Sequence, residues 1–376
     1  MASKHCSGYF IGLMSGTSAD GVDAVLVNIE NDTLTLVSSY SAPFTSPTRE
    51  AVLEACSLKP NKTEQVSELD SKLAQHYAES TTQLLDQTKL NAADIVAIGN
   101  HGQTVNHAPD AMPPFSLQIG NAKLLADLTG INVVSDFRST DIAAGGQGAP
   151  LAPIIHNHLL RSSIENRVVA NLGGIANITI LPKDLNETVT GFDTGPANGL
   201  MDYWINKHLG KNFDQGGTWA ASGTVHEQLL EHLLDDEYFK LSPPKSTGRE
   251  HFNANWLERK LAQYGQINPQ DVQATLCQLT AISVTNDIKH HAANCSTLIV
   301  CGGGSHNQEL LSRLQHQLPE ATVESSAEHG IDPDFVEAIA FAWLAYRHMN
   351  NLSGNLPSVT GASKEVILGE IKVPLS

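Results

Sequence analysis

Strands and glycine-rich turns occur in the same order twice along the chain, and this repeat narrows the choice of folds more than any other pattern. The first copy has an apolar strand at Tyr9–Leu13, a polar turn, and strands at Val22–Ile29 and Leu34–Tyr40. The second has a strand at Arg167–Leu172, a turn with two glycines, and a returning strand at Ile178–Leu181. Alternating helices and strands are predicted after each copy, as in α/β proteins. The sequence therefore predicts a duplicated α/β domain with a ligand cleft between the halves.

The length of 376 residues also favours two domains of ordinary size. A stretch rich in glycine and proline, 139–155, is typical of a crossing between domains or of a loop lining a cleft. The strand-like end, 362–372, is expected to return to the first domain. We therefore expect one domain to contain residues 1–138 and about 356–376, and the other to contain residues 139–355.

The composition narrows the choice of partners. Forty acidic and 23 basic residues give a net charge of −17, which disfavours nucleic acid and anionic membranes as partners. The five cysteines include no closely spaced pair, which predicts neither a disulfide framework nor a zinc site. No apolar run approaches the length of a membrane span, so we expect a cytoplasmic protein. An anionic substrate must then be bound by local cations and backbone amides.

One carboxylate stands out as a candidate catalytic group. Asp193 lies in the stretch Phe192–Asn198, after a β-type run at 187–190 and before a helical pattern that begins at Gly199. Ligands of open α/β sheets gather at the carboxyl ends of strands, so Asp193 is placed as a general base would be. The alternative is that Asp193 only caps the following helix.

Three glycine-rich turns, 15–21, 173–177 and 302–307, each follow a predicted strand. Glycine allows close backbone approach, so successive amides can face phosphate oxygens, which predicts a bound nucleotide. The first turn adds the hydroxyl donors Ser15, Thr17 and Ser18. Its carboxylates, Asp20 and Asp23, could hold a hydrated Mg²⁺, although Asp20 is equally well explained by the chemistry of an Asp-Gly turn.

These turns belong to longer motifs that resemble those of the anhydro-N-acetylmuramic acid kinase family. The motifs are Ile11–Asp23, Gly99–Thr104, Asn171–Asn177, Gly191–Pro196 and Cys301–Asn307. The resemblance runs nearly end to end and places the chain in the superfamily of acetate and sugar kinases, heat-shock chaperones and actin. It implies two RNase-H-like domains with mixed sheets flanked by helices, and a nucleotide cleft between them. A homodimer is an expectation at the level of the family.

The resemblance also implies a role for each motif. Asp193 is the implied base. The implied ATP contacts are Gly16, Thr17, Ser18, Ala19, Asp20, Gly21, Val22 and Asp23, then Asn171, Gly173, Gly174 and Asn177, and finally Gly302, Gly303, Gly304 and Asn307. The implied sugar contacts are His101, Gln103, Thr104, Asp136, Arg138, Asp141 and Glu337.

Two of the sugar contacts have ordinary alternatives. Arg138 suits the lactyl carboxylate of a muramic sugar because its guanidinium group can bind a carboxylate through two parallel hydrogen bonds. It could instead form an interdomain ion pair with Asp136 or Asp141. His101 could equally well hydrogen-bond a backbone carbonyl in a structural turn.

The implied reaction uses ATP and Mg²⁺ to open 1,6-anhydro-N-acetylmuramic acid with water and to phosphorylate its O6. The product, N-acetylmuramic acid 6-phosphate, enters cell-wall recycling. Two alternatives remain open: a related kinase acting on a free hydroxyl of another sugar, and an ATP-driven scaffold of the actin or chaperone type. The scaffold is disfavoured because no client-binding segment is visible after the last motif.

Overall fold

The computed structural model describes residues 6–16, 18–57 and 63–375, so Thr17 of the first glycine turn lies outside the described residues. The strands are β1 (Gly8–Ser15), β2 (Gly21–Glu30), β3 (Thr33–Pro43), β4 (Ile95–Ala108), β5 (Phe115–Ile119), β6 (Val133–Ser135), β7 (Arg167–Leu172), β8 (Ile175–Leu181), β9 (Thr190–Pro196), β10 (Thr297–Cys301), β11 (Thr322–Ser325) and β12 (Glu370–Lys372).

The helices include two that are much longer than the others, α2 and α10. In chain order the helices are α1 (Ser46–Ser57), α2 (Thr63–Asp86), α3 (Ala122–Thr129), α4 (Phe137–Ala143), α5 (Pro153–Leu160), α6 (Asn198–Leu209), α7 (Thr218–Ser222), α8 (Glu227–Leu234), α9 (Ala254–Leu261), α10 (Pro269–His291), α11 (Gln308–Gln317), α12 (Val336–Met349) and α13 (Pro357–Thr360). Within the described residues, no helix is both long enough and apolar enough to cross a membrane.

The chain forms an α/β fold with two mixed sheets flanked by helices, as predicted. The first sheet has the order β12-β6-β4-β1-β2-β3, with β5 added on β4. The second has the order β11-β10-β7-β8-β9. In each sheet a central strand pairs antiparallel with the next strand along the chain and parallel with a later one: β1 with β2 and β4, and β7 with β8 and β10. The repeat of strand, glycine turn and strand is therefore a repeat of topology.

The described residues divide into two compact units. One runs up to Ile155 and resumes at Phe335; the other runs from His156 to Asp334. The boundaries thus fall at 155/156 and 334/335, whereas the sequence placed them at 138/139 and near 355/356. Residues 139–155 and the helix α12 both belong to the first unit.

Helix α12 joins the first unit because glycines in two strands leave room for its backbone. A Cβ atom built on Gly12 would lie 1.9 Å from the carbonyl oxygen of Ala338, and one built on Gly99 would lie 1.9 Å from that of Phe341. Gly12 and Gly99 are paired across β1 and β4, so they form one smooth patch. The helix is apolar on nearly all sides, as expected for a buried helix.

We expect Gly99→Ala to destabilise the protein by at least about 2 kcal/mol, because the new methyl group overlaps the backbone of α12. Thermal unfolding of the purified variant measures this. Gly265→Ala is the matched control, because a Cβ there meets no atom within 4 Å and the residue is exposed. Equal melting temperatures for the two variants would contradict the close approach of α12.

Candidate active site

Asp193 lies within strand β9, three residues before its end, rather than at the carboxyl end of the strand as expected. The strand is longer than expected because β8 pairs with it up to Pro196. The sheet register pairs Asn171 with Asn177, and Asn177 with Asp193. Paired residues share a face of a sheet. Three polar side chains from two sequence motifs therefore form one row across β7, β8 and β9.

The carboxylate of Asp193 is anchored on one oxygen. The backbone N–H of Thr247 donates to Oδ2 at 2.9 Å. Oδ1 has no hydrogen-bond donor within residues 6–16, 18–57 and 63–375, so it is the oxygen left to accept a proton. Asp193 does not cap the next helix: the N-cap of α6 is Ala197, which has no side-chain cap bond.

The surroundings of Asp193 make its proton easy to exchange near neutral pH. Burial raises its pKa to about 7, with the carboxylate of Glu250 adding to the rise. The amide of Thr247 and the ammonium of Lys245 act in the opposite direction. A general base works best when its pKa lies near the working pH, so Asp193 is suited to accept a proton from water.

Sequence reasoning missed the segment that holds Asp193. Residues 236–255 have no regular hydrophobic periodicity, yet Tyr238 donates its hydroxyl to the Asp193 carbonyl at 2.7 Å. The Asp193 N–H donates to the Lys245 carbonyl at 3.2 Å. The segment contains basic and aromatic residues, but their pattern in the sequence does not by itself indicate a site.

The second glycine turn is held by the start of α6. The carbonyl of Gly173 accepts from Asn198 N at 2.9 Å, and that of Gly174 accepts from Ala197 N at 3.1 Å. Because the carbonyls turn toward α6, the turn has a fixed shape, which a phosphate-binding loop requires.

The third turn packs on the second. A Cβ on Gly302, whose φ is +75°, would lie 2.4 Å from Oδ1 of Asn171, and one on Gly304 would lie 2.4 Å from the Leu172 side chain. Gly303 lies between them in a short 3-10 helix, Gly303–His306. Asn307 caps α11 by accepting from Leu310 N at 3.0 Å. The side chain of Asn307 thus has a structural task, and glycine is needed here for close packing.

The first glycine turn is a tight bend between β1 and β2. Ala19 N donates to Gly16 O at 3.1 Å, and Ala19 has a positive φ of 54°. Ser18 is half-buried, while Asp20 is exposed and pairs with Arg49 at 3.2 Å. Gly21 and Val22 begin β2, where a Cβ on Gly21 would overlap the backbone of Ala42 at 2.3 Å.

The motif Gly99–Thr104 lies inside the long strand β4, which extends past the motif because β5 pairs with its second half. Gln103 is buried, and its Nε2 donates to Gly16 O at 3.2 Å. Gln103 therefore holds the first glycine turn. Thr104 is half-buried, and its hydroxyl accepts from Gln118 at 3.1 Å.

His101 and Arg138 form a buried pair with a defined protonation state. Nδ1 of His101 lies 2.8 Å from the Gly102 carbonyl, which can only accept, so Nδ1 carries the proton. Nε2 then accepts from Arg138, at 3.1 Å from Nε and 2.8 Å from Nη2. Burial and the charge of Arg138 hold the pKa of His101 well below its usual range. His101 is therefore neutral and orients the guanidinium group.

Arg138 also donates from Nη1 to the carbonyl of Gly148 at 2.6 Å. Its hydrogen bonds go to His101 and Gly148 rather than to Asp136 or Asp141. Burial lowers the pKa of Arg138 to about 10, so it stays charged at neutral pH. Glu337, in the first turn of α12, is the leading charge that opposes this shift.

Glu337 is a carboxylate whose pKa is influenced by burial and by two charged neighbours. Burial raises its pKa, the charge of Arg138 lowers it, and Asp23 raises it further. Asp23 accepts a hydrogen bond from Ser41 at 2.8 Å. The structure thus brings together, within the first unit, residues from the first glycine turn, from α4 and from α12.

Asp141 and Asp136 have different environments. Asp141 is fully buried; its Oδ1 accepts from Asn355 and Thr360 at 2.8 and 2.7 Å, and its Oδ2 from Gly148 N at 2.8 Å. Asp136 has a positive φ of 56° and accepts from Ser139 at 2.6 Å.

A pocket of about 370 Å³ opens in the first unit beside the middle of β4 and the end of β6. His101 and Asp136 line it, together with Asn100, Ser135 and the β12 residues Glu370 and Lys372. Its volume lies within the range of small-molecule sites. The lining residues of β4 and β6 directly follow the short stretch over which these two strands pair in parallel, which is where ligand sites of α/β sheets are expected.

Comparison with known proteins identifies the family. The sequence profile of anhydro-N-acetylmuramic acid kinase matches residues 8–374. The chain belongs to the anhydro-N-acetylmuramic acid kinase family. The anhydro-N-acetylmuramic acid kinase of Shewanella halifaxensis is 47% identical over 361 residues, covering 96% of this chain and 97% of that protein. The enzyme of that name from Photobacterium profundum is 48% identical over 369 residues, covering 96% and 98%.

Among solved structures, (R)-2-hydroxyglutaryl-CoA dehydratase component A of Acidaminococcus fermentans aligns over 91% of this chain and 99% of its own, with a TM-score of 0.49 and 11% identity. As a member of the anhydro-N-acetylmuramic acid kinase family, the chain is a phosphotransferase.

Few carboxylates in the described part of this kinase are available to bind Mg²⁺. In the described part of the chain, no group of three or more His, Cys, Asp or Glu side chains is arranged to hold a metal ion. Mg²⁺ in kinases is typically held by one or two carboxylates, by water and by the phosphates of the nucleotide. Asp20 and Asp23 fit that sparse donor set, although each already accepts a hydrogen bond, Asp20 from Arg49 and Asp23 from Ser41.

Proposed function

We propose that the chain is an ATP-dependent kinase that opens 1,6-anhydro-N-acetylmuramic acid with water and phosphorylates O6, giving N-acetylmuramic acid 6-phosphate and ADP. Family membership supports the kinase class. One observation supports the mechanism: Asp193 is anchored through Oδ2 and has a pKa raised to about 7. The product feeds cell-wall recycling in the cytoplasm.

The substrate sets the chemical task. Its O6 is locked in an ether bridge to C1, so O6 has no proton and cannot attack ATP as an ordinary hydroxyl does. Water adds to C1, the C1–O6 bond breaks, and the electron pair released on O6 attacks the γ-phosphorus, with ADP leaving. An inverting glycosidase would need a second carboxylic acid to protonate the departing oxygen. Here the phosphoryl group captures that oxygen, so one base suffices.

Asp193 is the base in this proposal. Its Oδ1 accepts a proton from the attacking water while Thr247 holds Oδ2 in place. The amides of the second glycine turn, whose carbonyls are bonded to α6, bind phosphate oxygens. Gln103 fixes the first glycine turn for the same purpose. Asp20 and Asp23 would help to hold Mg²⁺, which would supply positive charge to stabilise the transferring phosphoryl group.

The first unit recognises the sugar. Arg138 is oriented by neutral His101 and keeps its positive charge at neutral pH. Its guanidinium group binds the lactyl carboxylate. His101 and Asp136 line the pocket and contact sugar hydroxyls. Glu337 and Thr104 are further contacts. Asp141 supports Arg138 indirectly, because it binds the amide of Gly148 whose carbonyl accepts from Arg138.

We expect Arg138→Met to raise the KM for 1,6-anhydro-N-acetylmuramic acid by about 30- to 100-fold, since a charge-assisted pair is lost. Steady-state kinetics with that sugar and with 1,6-anhydro-N-acetylglucosamine, which lacks the lactyl group, provide the test. The variant should lose its preference for the carboxylated sugar, whereas the KM for the second sugar should not change. An unchanged preference would remove Arg138 from substrate recognition.

The reaction itself is tested in water enriched in heavy oxygen. Pure protein is incubated with ATP, Mg²⁺ and the anhydro sugar, and the product is fragmented in a mass spectrometer. Phosphate on O6 with the heavy oxygen on C1 is the expected result; product incubated without enzyme corrects for exchange of the C1 hydroxyl. The alternative, a kinase acting on a free hydroxyl, predicts no product from this sugar and ATP consumption with an ordinary sugar.

A further inference from the structure

Asp193 is held at three atoms by one irregular segment, residues 236–250. Its N–H donates to the Lys245 carbonyl at 3.2 Å, and its carbonyl accepts from the Tyr238 hydroxyl at 2.7 Å. Its Oδ2 accepts from Thr247 N at 2.9 Å. The direction of the carboxylate therefore depends on where this segment lies against β9.

Lys245 fastens the segment to the interior of the second unit. Its side chain is only 2% exposed, and Nζ lies 3.0 Å from Oδ2 and 3.2 Å from Oδ1 of Asp287 on α10. The ammonium group lies 5.6 Å from the ring centroid of Phe192 and 5.2 Å from that of Tyr238. A buried ammonium group that contacts a carboxylate and two aromatic faces has little freedom to move.

We propose that Lys245, held by Asp287, is a positioning residue for the base: it fixes segment 236–250 against β9 and supplies positive charge beside Asp193. This inference rests on the proposed function in one respect, namely that Asp193 is the base. Neither Lys245 nor Asp287 touches the reacting atoms in this proposal. They act through the backbone of Lys245 and Thr247 and through the field of the ammonium group.

The charges around Asp193 determine the direction in which its pKa should change when Lys245 is replaced. Burial and Glu250 raise the pKa of Asp193, while the Thr247 amide and Lys245 lower it. The other titratable groups on this side are Tyr238 and Asp287, with His290 and His291 beside Asp287. Lys245 is thus the positive charge that adds to the effect of the Thr247 amide in lowering the pKa of Asp193, and we expect the pKa of Asp193 to rise when this charge is removed.

The test removes both charges together, because either one left alone would be buried without its partner. In Lys245→Met with Asp287→Asn, we expect kcat at about pH 7 to fall about fivefold or more. In the plot of kcat against pH, we expect the acidic limb to shift to higher pH by about one unit. Most of the activity should therefore return at about pH 9. A purely structural role predicts a loss that is equal at every pH.

Three comparisons make the test decisive. Lys245→Gln, whose amide still donates to Asp287, should show the same upward shift if the double variant folds poorly. Lys245→Arg keeps the charge and should keep the position of the limb. Lys207→Met with Glu258→Gln removes an exposed ion pair of the same unit, 41% exposed on both sides, and should leave the profile unchanged.

Carbon NMR of the Asp193 carboxyl group, assigned by its loss in Asp193→Asn, reads the ionisation without turnover. An upward shift of its midpoint in the double variant supports the proposal even if the wild-type protein proves inactive on the anhydro sugar, which would count against the proposed function alone. An unchanged limb and midpoint, or a uniform loss of kcat with an unchanged midpoint, would overturn the role of Lys245.

Discussion

Asp193→Asn should lower kcat by about 10²- to 10⁴-fold while leaving folding and ATP affinity close to wild type, because an amide cannot accept the proton of the attacking water. The substitution keeps the shape of the side chain and an oxygen that can accept from Thr247. Stopped assays of product formation measure kcat, calorimetry measures ATP binding, and circular dichroism checks the fold. Wild-type turnover in this variant would remove Asp193 from the mechanism.

The control for this variant is Asp184→Asn, an exposed carboxylate of the same unit whose side chain bonds only within its own loop, to Asn186. The pH profile adds a second check. The base must be deprotonated to act, and burial raises the pKa of Asp193 to about 7. The wild-type kcat should therefore fall about tenfold per unit below about pH 7, and this limb should be absent from the residual activity of Asp193→Asn.

Asp141→Asn should lower the free energy of unfolding by about 3 kcal/mol, because it places an amide nitrogen among groups that are already donors. Both carboxylate oxygens of Asp141 accept hydrogen bonds, from Gly148, Asn355 and Thr360, and the side chain is fully buried. Calorimetric unfolding measures the loss. We also expect a higher KM for the sugar, because the Gly148 carbonyl that receives Arg138 would shift.

Asp110→Asn is the matched control for stability, since Asp110 is exposed in the same unit and should change the melting temperature very little. If Asp141→Asn unfolded at the same temperature as Asp110→Asn, the buried carboxylate would not be holding the loop around Gly148. A raised KM without any loss of stability would instead indicate direct contact with the sugar.

The fold could be predicted where it depends on residues that are close together in the sequence. Apolar runs such as Arg167–Leu172 and the glycines that follow them lie next to each other in the sequence, so the repeat of strands and turns was visible. The ends of the strands could not be predicted as well from the sequence. Asp193 was expected at the carboxyl end of its strand, yet β9 continues to Pro196 because β8 pairs with it, and no property of Gly195 or Pro196 alone reveals that pairing.

The site could be predicted in part for the same reason. Asp193 and the glycine turns lie in compact motifs, whereas the contacts that support them join distant parts of the chain. Lys245 reaches Asp287 across an unpatterned loop, and Asp141 reaches Asn355 and Thr360 more than two hundred residues away. Such contacts arise from packing between elements, which single-residue patterns do not encode. The buried role of Asp141 was therefore beyond sequence reasoning.

The order of the two units along the chain has a consequence for protein synthesis. Residues 156–334 form the second unit without a break, whereas the first unit lacks a complete α12 until translation has passed residue 349, and β12 until it has passed residue 372. On the ribosome, the second unit can complete its core while the first still exposes the smooth patch at Gly12 and Gly99. Domains generally fold as units during synthesis. The amino-terminal half of this enzyme is thus made first and finished last.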